Sequence, residues 1–304
     1  MRRRTLKTWV LALLVVAAVA FAAVPVAQSA IYSTTYYNIY YYNTTQYNWA
    51  KALGAYLNRA FWAAKTTIGY DARVGKMNIV FYSKADGSLG YMYGGQQNIY
   101  LNRYYFTTYD KWGSVTAHES AHVLFYNYTK ANYWNSSLIY YRTFLTEALS
   151  WYAGDYVYNY SKYSSSSAYS QIRSNLKYYY GLTKTTISWY GSGYYYKVGT
   201  SNSNLRAQNI WQLRAIGYYL TGGRLTTSSP YVQKLLYAMK VYSSYAGSYL
   251  RSATYSTARS YFEYSFKYAY GRYANAGWIY TGSTNGAYKN TAYLYGSFWY
   301  SYYN

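Results

Sequence analysis

The spacing of apolar positions changes several times along this chain, and each change marks an element. From Trp49 the apolar side chains Leu53, Tyr56, Leu57, Ala60 and Ala64 recur three or four apart, the period of one helix face. Gly69 is the expected stop for that helix. The tyrosine-rich stretch before it, 30–48, is low in complexity and reads as an extended arm or a strand. Met77–Tyr82 is a β-rich run, and Asp86-Gly87 marks a turn. Tyr91-Met92-Tyr93 and Asn98–Asn102 then predict two further strands around the glycine-rich loop at Gly94-Gly95.

Helical periodicity dominates from Ser114 onward. Ser114–Asn127 is one stretch, and Arg142–Asp155 is another, in which Phe144, Glu147, Ala148 and Trp151 share one stripe. Ser164–Ser167 marks a loop, 168–180 look helical, and 181–204 are rich in Gly, Ser, Thr and Tyr, as a loop would be. Leu205–Leu220 predicts a helix stopped by Gly222-Gly223, and Pro230 opens another that runs to Tyr242. Tyr255–Tyr270 is the last helix, and Asn285-Gly286 between aromatic runs suggests a hairpin in the tail. No internal repeat of 20–50 residues is apparent.

The order predicts an α+β protein of two lobes, with a small mixed sheet and its helices first and a mostly helical lobe second. The expected divisions are a leader over 1–29, an α/β lobe over 30–131, a helical lobe over 132–276 and a Tyr/Gly-rich tail over 277–304.

Composition adds a compartment and a charge. Arg2, Arg3, Arg4 and Lys7 precede an uncharged apolar run from Trp9 to Ala23, and Pro25 leads to Ala27-Gln28-Ser29, the pattern of a cleaved export signal. The apolar run is shorter than a membrane span of about 20 residues, so a retained anchor is the lesser alternative. The expected location is therefore secreted or associated with the cell envelope, with no stable membrane span after cleavage. The 29 Lys and Arg, less the four of the leader, stand against 7 Asp and Glu, a formal +18 for the mature chain. A field of that sign attracts polyanions, and export makes anionic cell-envelope polymer a more plausible partner than nucleic acid. Tyrosine, with 54 residues, takes over much of the surface role that charged side chains usually fill.

The chemistry is concentrated in His118-Glu119-Ser120-Ala121-His122, an H-E-x-x-H motif. Residues four apart lie on one helix face, so both imidazoles can address one metal ion, while Glu119 is turned aside towards a water on that metal. The chain contains only 2 histidines, and both fall in this motif. Random placement would give that coincidence in about one of several thousand such chains, which argues against an ordinary amphipathic helix. A catalytic zinc takes a third protein ligand, for which Glu147 is the best candidate, because a carboxylate on an apolar stripe is costly unless it is paired or bound to metal. A core salt bridge to an arginine is the alternative for Glu147. The chain has no Cys, so no thiolate can ligate or attack, and both histidines are already used, which excludes a Ser-His-Asp set.

An H-E-x-x-H motif followed some two dozen residues later by a helical Glu resembles the gluzincin metallopeptidases. Glu147-Ala148-Leu149-Ser150-Trp151-Tyr152-Ala153-Gly154 is similar to the E-x-x-A-x-[YF]-x-G run of their collagenase-like branch, and Asn127 sits where the aminopeptidase branch also carries Asn. The resemblance implies a zincin-like fold, Zn2+ held by His118, His122 and Glu147, and Glu119 as general base. It implies hydrolysis of a protein or peptide substrate, with the strand before the motif helix bordering the cleft, and the loop expected over 181–204 is read as lying over that cleft.

Two departures qualify the resemblance. Thermolysin-like members carry an Asp one turn after the ligand Glu, where this chain has Trp151. Asp155, a turn further on, is a candidate to support the ligands from behind, as is Asn127; for Asp155 a plain helix-end charge is the alternative. The loop Gly94–Asn98 has no acid to hold a substrate amino terminus, which favours an endopeptidase over an aminopeptidase. A structural or adhesive envelope protein on the same scaffold is the competing expectation, supported by the basic, tyrosine-rich surface.

Overall fold

The computed structural model describes residues 29–106, 108–131, 139–162, scattered positions from 164 to 174, most of 213–223, and 227–245 and 255–271. The leader up to 28, the loop expected over 181–204, the first part of the helix expected at 205–220 and the hairpin expected in the tail lie outside the described residues.

The stretch 30–48 is more structured than its composition suggests. It holds two strands, β1 (Ala30–Ser33) and β2 (Tyr37–Tyr41), and the first turn of helix α1 (Thr44–Ile68). The helix starts five residues before the expected Trp49 because Asn43 caps it, its side chain accepting the Gln46 amide at 2.9 Å. The Gln46 side chain in turn accepts the Tyr42 amide at 2.8 Å. At the other end Gly69 has φ 83, a left-handed conformation that ends a helix and that glycine adopts without strain. A side chain at Gly69 would also run into Gln233, whose amide donates to the Gly69 carbonyl at 3.0 Å.

Strands β3 (Met77–Tyr82), β4 (Gly90–Met92) and β5 (Asn98–Asn102) complete a mixed five-stranded sheet in the order β1-β2-β3-β5-β4. The inner pairs, β2 with β3 and β3 with β5, are parallel, and the two outer pairs are antiparallel. Alternation fixes which face is buried: Tyr37 and Ile39, then Met77, Ile79 and Phe81, then Ile99 and Leu101 all point into the core. Against them pack Leu53, Leu57 and Phe61 of α1, and Trp112 and Val123 of helix α2 (Tyr109–Thr129).

A second core lies on the other side of α1 and α2. There helix α3 (Ile139–Lys162), helix α4 (Pro230–Tyr245) and helix α5 (Tyr255–Tyr270) meet the alanine-rich faces of the first two helices. The described residues from 213 to 221 are helical, and Leu213, Ile216, Tyr218 and Leu220 enter this core. Small side chains bring the two site-bearing helices together. A methyl group at Gly154 would come 3.1 Å from the Ser114 carbonyl and 3.6 Å from the His118 Cβ, so a larger residue there would press α3 and α2 apart by a few tenths of an ångström. The Ser114 hydroxyl donates to the Gly154 carbonyl at 2.9 Å across the same crossing.

Candidate metal centre

Helix α2 presents His118 and His122 one turn apart on the face towards α3, as the spacing requires. Helix α3 brings Glu147 to meet them. The two Nε2 atoms are 3.1 Å apart, Glu147 Oε2 is 3.5 Å from His118 Nε2, and Glu147 Oε1 is 3.4 Å from His122 Nε2. Ligands on a tetrahedral zinc with bonds of 2.0–2.2 Å lie roughly 3.3–3.6 Å from one another, so the two imidazoles and the Glu147 carboxylate, with one oxygen towards each histidine, are close enough to share a metal ion. Among the described residues this is the group of three that can hold a metal ion.

Support from behind comes from a residue that sequence reasoning missed. Thr146 Oγ1 lies 2.7 Å from His122 Nδ1. With Nδ1–H donating to that hydroxyl, Nε2 is left with its lone pair towards the metal position. The only signal for Thr146 was its place directly before Glu147, which no spacing rule picks out. The other imidazole is braced by Trp151, whose ring meets that of His118 edge to face at 4.8 Å.

Asp155 is not a helix-end charge, since α3 continues to Lys162 and the carboxylate is buried. It pairs with Arg214 at 3.2 Å, and the guanidinium lies 4.6 Å from the centre of the Trp151 ring. Asp155 is therefore connected to the site by contacts through Arg214 and Trp151, and no hydrogen bond from it to a histidine is seen among the described residues. Burial pushes its carboxyl up, against the pull of Arg214 and His118. Asn127 lies on α2 outside the cleft lining, with a buried amide nitrogen that has no hydrogen-bond partner among the described residues.

Glu119 is only 6% exposed and lines the same cleft. Burial, reinforced by the Glu147 charge and opposed by His118, pushes it up to about 7, where a carboxylate can both take and return a proton near neutrality. The two histidines separate in the opposite sense. Burial, with the His118 charge adding to it and Glu147 opposing, holds His122 down at about 4. His118 is also disfavoured by burial, but its hydrogen bond to Glu147 and the charges of Glu119 and Glu147 raise it above the ordinary histidine range.

The cleft has a volume of about 420 Å³. One wall is the pair of helices; the other is the loop from Gly87 and strand β4, with Gly90, Tyr91 and Met92. The resemblance to gluzincins implies the strand before the motif helix at this wall. That strand, β5, is paired on both sides, by β3 and β4, so it lies one position further in. Strand β4, whose outer edge has no strand neighbour among the described residues, borders the cleft instead. Tyr126, one turn past His122 on the same helix face, also lines the cleft. No protein-family model, no curated protein and no solved structure matches the chain.

Proposed function

We propose that this chain is a zinc-dependent endopeptidase of the gluzincin type, exported and acting on protein or peptide substrates. The observation that carries the reading is the meeting of His118, His122 and Glu147 at ligand spacing, with a buried Glu119 beside them. A zinc ion bound there supplies Lewis acidity, polarising a carbonyl and acidifying water. The chain's own residues do the rest. Glu119 accepts the proton of the attacking water and returns it to the leaving amine, for which a carboxyl near 7 is well placed. Thr146 fixes the His122 ring, and the helix crossing at Gly154 fixes both histidines relative to Glu147. An extended substrate laid along the free edge of β4 gains main-chain hydrogen bonds and brings a peptide carbonyl past Glu119.

The test is Glu119→Gln. Removing the base while leaving the ligands should keep stoichiometric zinc and lower hydrolysis of a neutral peptide by about 10²–10⁴-fold. Cleavage at near the parent rate, with zinc bound, would overturn the reading. The competing reading, an adhesive envelope protein, draws on exposed tyrosines such as Tyr93, Tyr104, Tyr264 and Tyr268. It predicts zinc uptake with no peptide or gelatin hydrolysis in the parent protein. The basic surface is assigned in either case to anionic envelope polymer.

A further inference from the structure

A second cavity, of about 410 Å³, lies at the start of α2 and shares no lining residue with the metal cleft. Its volume is that of a small-molecule site. Its walls are aromatic: Trp49 from α1, Phe106, and Tyr109 and Trp112 from the first turn of α2, with Tyr104 at the rim. Trp112 anchors the set, meeting Trp49, Phe106 and Tyr109 at ring distances of 5.9, 5.6 and 5.4 Å. The charge is of one sign. Arg103 lies 5.1 Å from the centre of the Trp49 ring on the exposed side of the cavity, and no acid is among the lining residues. The acid of the first turn of α2, Asp110, is outside the lining. The helix adds to this polarity, because Thr108 occupies the cap position without its side chain accepting a hydrogen bond from the first-turn amides.

These features select a ligand chemistry. Aromatic walls favour a flat apolar body, and a guanidinium beside a helix start favours an anion attached to it. A neutral sugar would also stack on such rings and could hydrogen-bond Ser83 and Thr108, but it carries no charge to engage the Arg103 guanidinium. We propose that this cavity binds an aromatic carboxylate, either a free aromatic acid or the C-terminal aromatic residue of a peptide. The ring sits among Trp49, Phe106 and Trp112, and the carboxylate faces Arg103.

The experiment is calorimetry and ligand-observed NMR with N-acetylphenylalanine, its uncharged amide and glucose, on the zinc-loaded protein and on protein stripped by chelator. The acid is expected to bind in both forms, with the amide at least about fivefold weaker, since only the acid can make a charge-assisted contact to Arg103. Arg103 is exposed, so Arg103→Gln should fold normally and bring the acid down to the level of the amide. Equal binding of acid and amide, no effect of Arg103→Gln, or glucose binding as tightly as the acid would each overturn the proposal. Loss of acid binding on stripping the metal would also overturn it, by placing the carboxylate in the metal cleft. Gly-Gly-Phe, offered to stripped protein to prevent its hydrolysis, distinguishes the sources. Binding at least as tight as the free acid assigns the site to a peptide end, and weaker binding assigns it to a free aromatic acid.

Discussion

The two walls of the metal cleft are built on opposite plans. In the helical wall, the groups that face the cleft are held from behind. His122 rests on Thr146, His118 on Trp151, and the helices that carry them touch through a glycine. The strand wall is a three-residue edge strand, preceded by Gly87 and followed by Gly95, both at positive φ. Its support is a stack of tyrosines, with Tyr91 lying flat on Tyr100 at 4.7 Å and edge-on to Tyr82 and Tyr93. On the proposed function, the contrast reflects two tasks. A metal tolerates ligand errors of a few tenths of an ångström, so coordination demands fixed side chains. A substrate backbone needs a row of unpaired main-chain groups, which only an open edge provides.

If that division is right, the largest effects belong to the helical wall. Glu147→Ala removes one of three donors and should weaken zinc binding by more than the roughly 10–100-fold that loss of a supporting residue costs. Competition against a chromophoric chelator measures this directly. Zinc affinity within a few-fold of the parent would mean that Glu147 is a neighbour of the histidines and not a ligand.

Thr146→Val tests the support itself, since it removes the hydroxyl and keeps the shape. Zinc affinity is expected to fall by about 10–100-fold, and Thr146→Ser should restore most of it. Equal losses in the Val and Ser variants would point to packing, not to the hydrogen bond with His122.

The electrostatics of the same wall set a proton count. Between pH 5 and 6 the raised His118 carries a proton that zinc must displace, whereas His122, held near 4, is already neutral. Protons therefore oppose zinc binding in this window, and the imidazole pair releases one of them, not two. In the Glu119→Gln variant, which removes the raised carboxyl beside the histidines together with one of the charges that raise His118, affinity should rise by up to about tenfold per pH unit. Calorimetry in buffers of different ionisation enthalpy counts the released protons, and a value of two would show that burial does not hold His122 neutral.

Much of the helical wall was legible in the sequence because its geometry is local. The i, i+4 spacing of His118 and His122 is a property of one helix, and the apolar stripe around Glu147 turned that carboxylate to the same side. Strands β3 and β5 were legible for a similar reason, as their alternation needs only neighbouring residues. The start of α1 was missed because Thr44, Thr45 and Gln46 carry no apolar period, although Asn43 was a readable cap. Thr146 was hidden because a helical threonine gives no sign of its partner, which lies 24 residues away. The cleft-bordering strand was misplaced for a deeper reason. Strand order depends on pairing between distant segments, and nothing in the run from Gly90 to Asn102 says that β4 takes the outside.

The strand wall should respond in a different currency. Tyr91 lines the cleft from β4, and burial, together with the neighbouring Tyr93, holds its hydroxyl neutral, up at about 12. It can therefore donate to a substrate carbonyl throughout the working range but cannot act as a base. Tyr91→Phe keeps the stack on Tyr100 and removes the hydroxyl together with its hydrogen bond to Tyr93, neither of which touches the histidines, so zinc affinity should stay within about twofold of the parent. A single hydrogen bond is worth about 0.5–1.5 kcal/mol net, which predicts a two- to twelvefold loss in kcat/KM for a neutral peptide. A loss carried by KM would mean that Tyr91 holds the substrate on the edge strand. A loss carried by kcat would mean that its hydroxyl meets the carbonyl oxygen as charge develops there, making it part of the chemistry. A fall in zinc affinity with Tyr91→Phe would break the comparison altogether, because the two walls would then be one coupled unit.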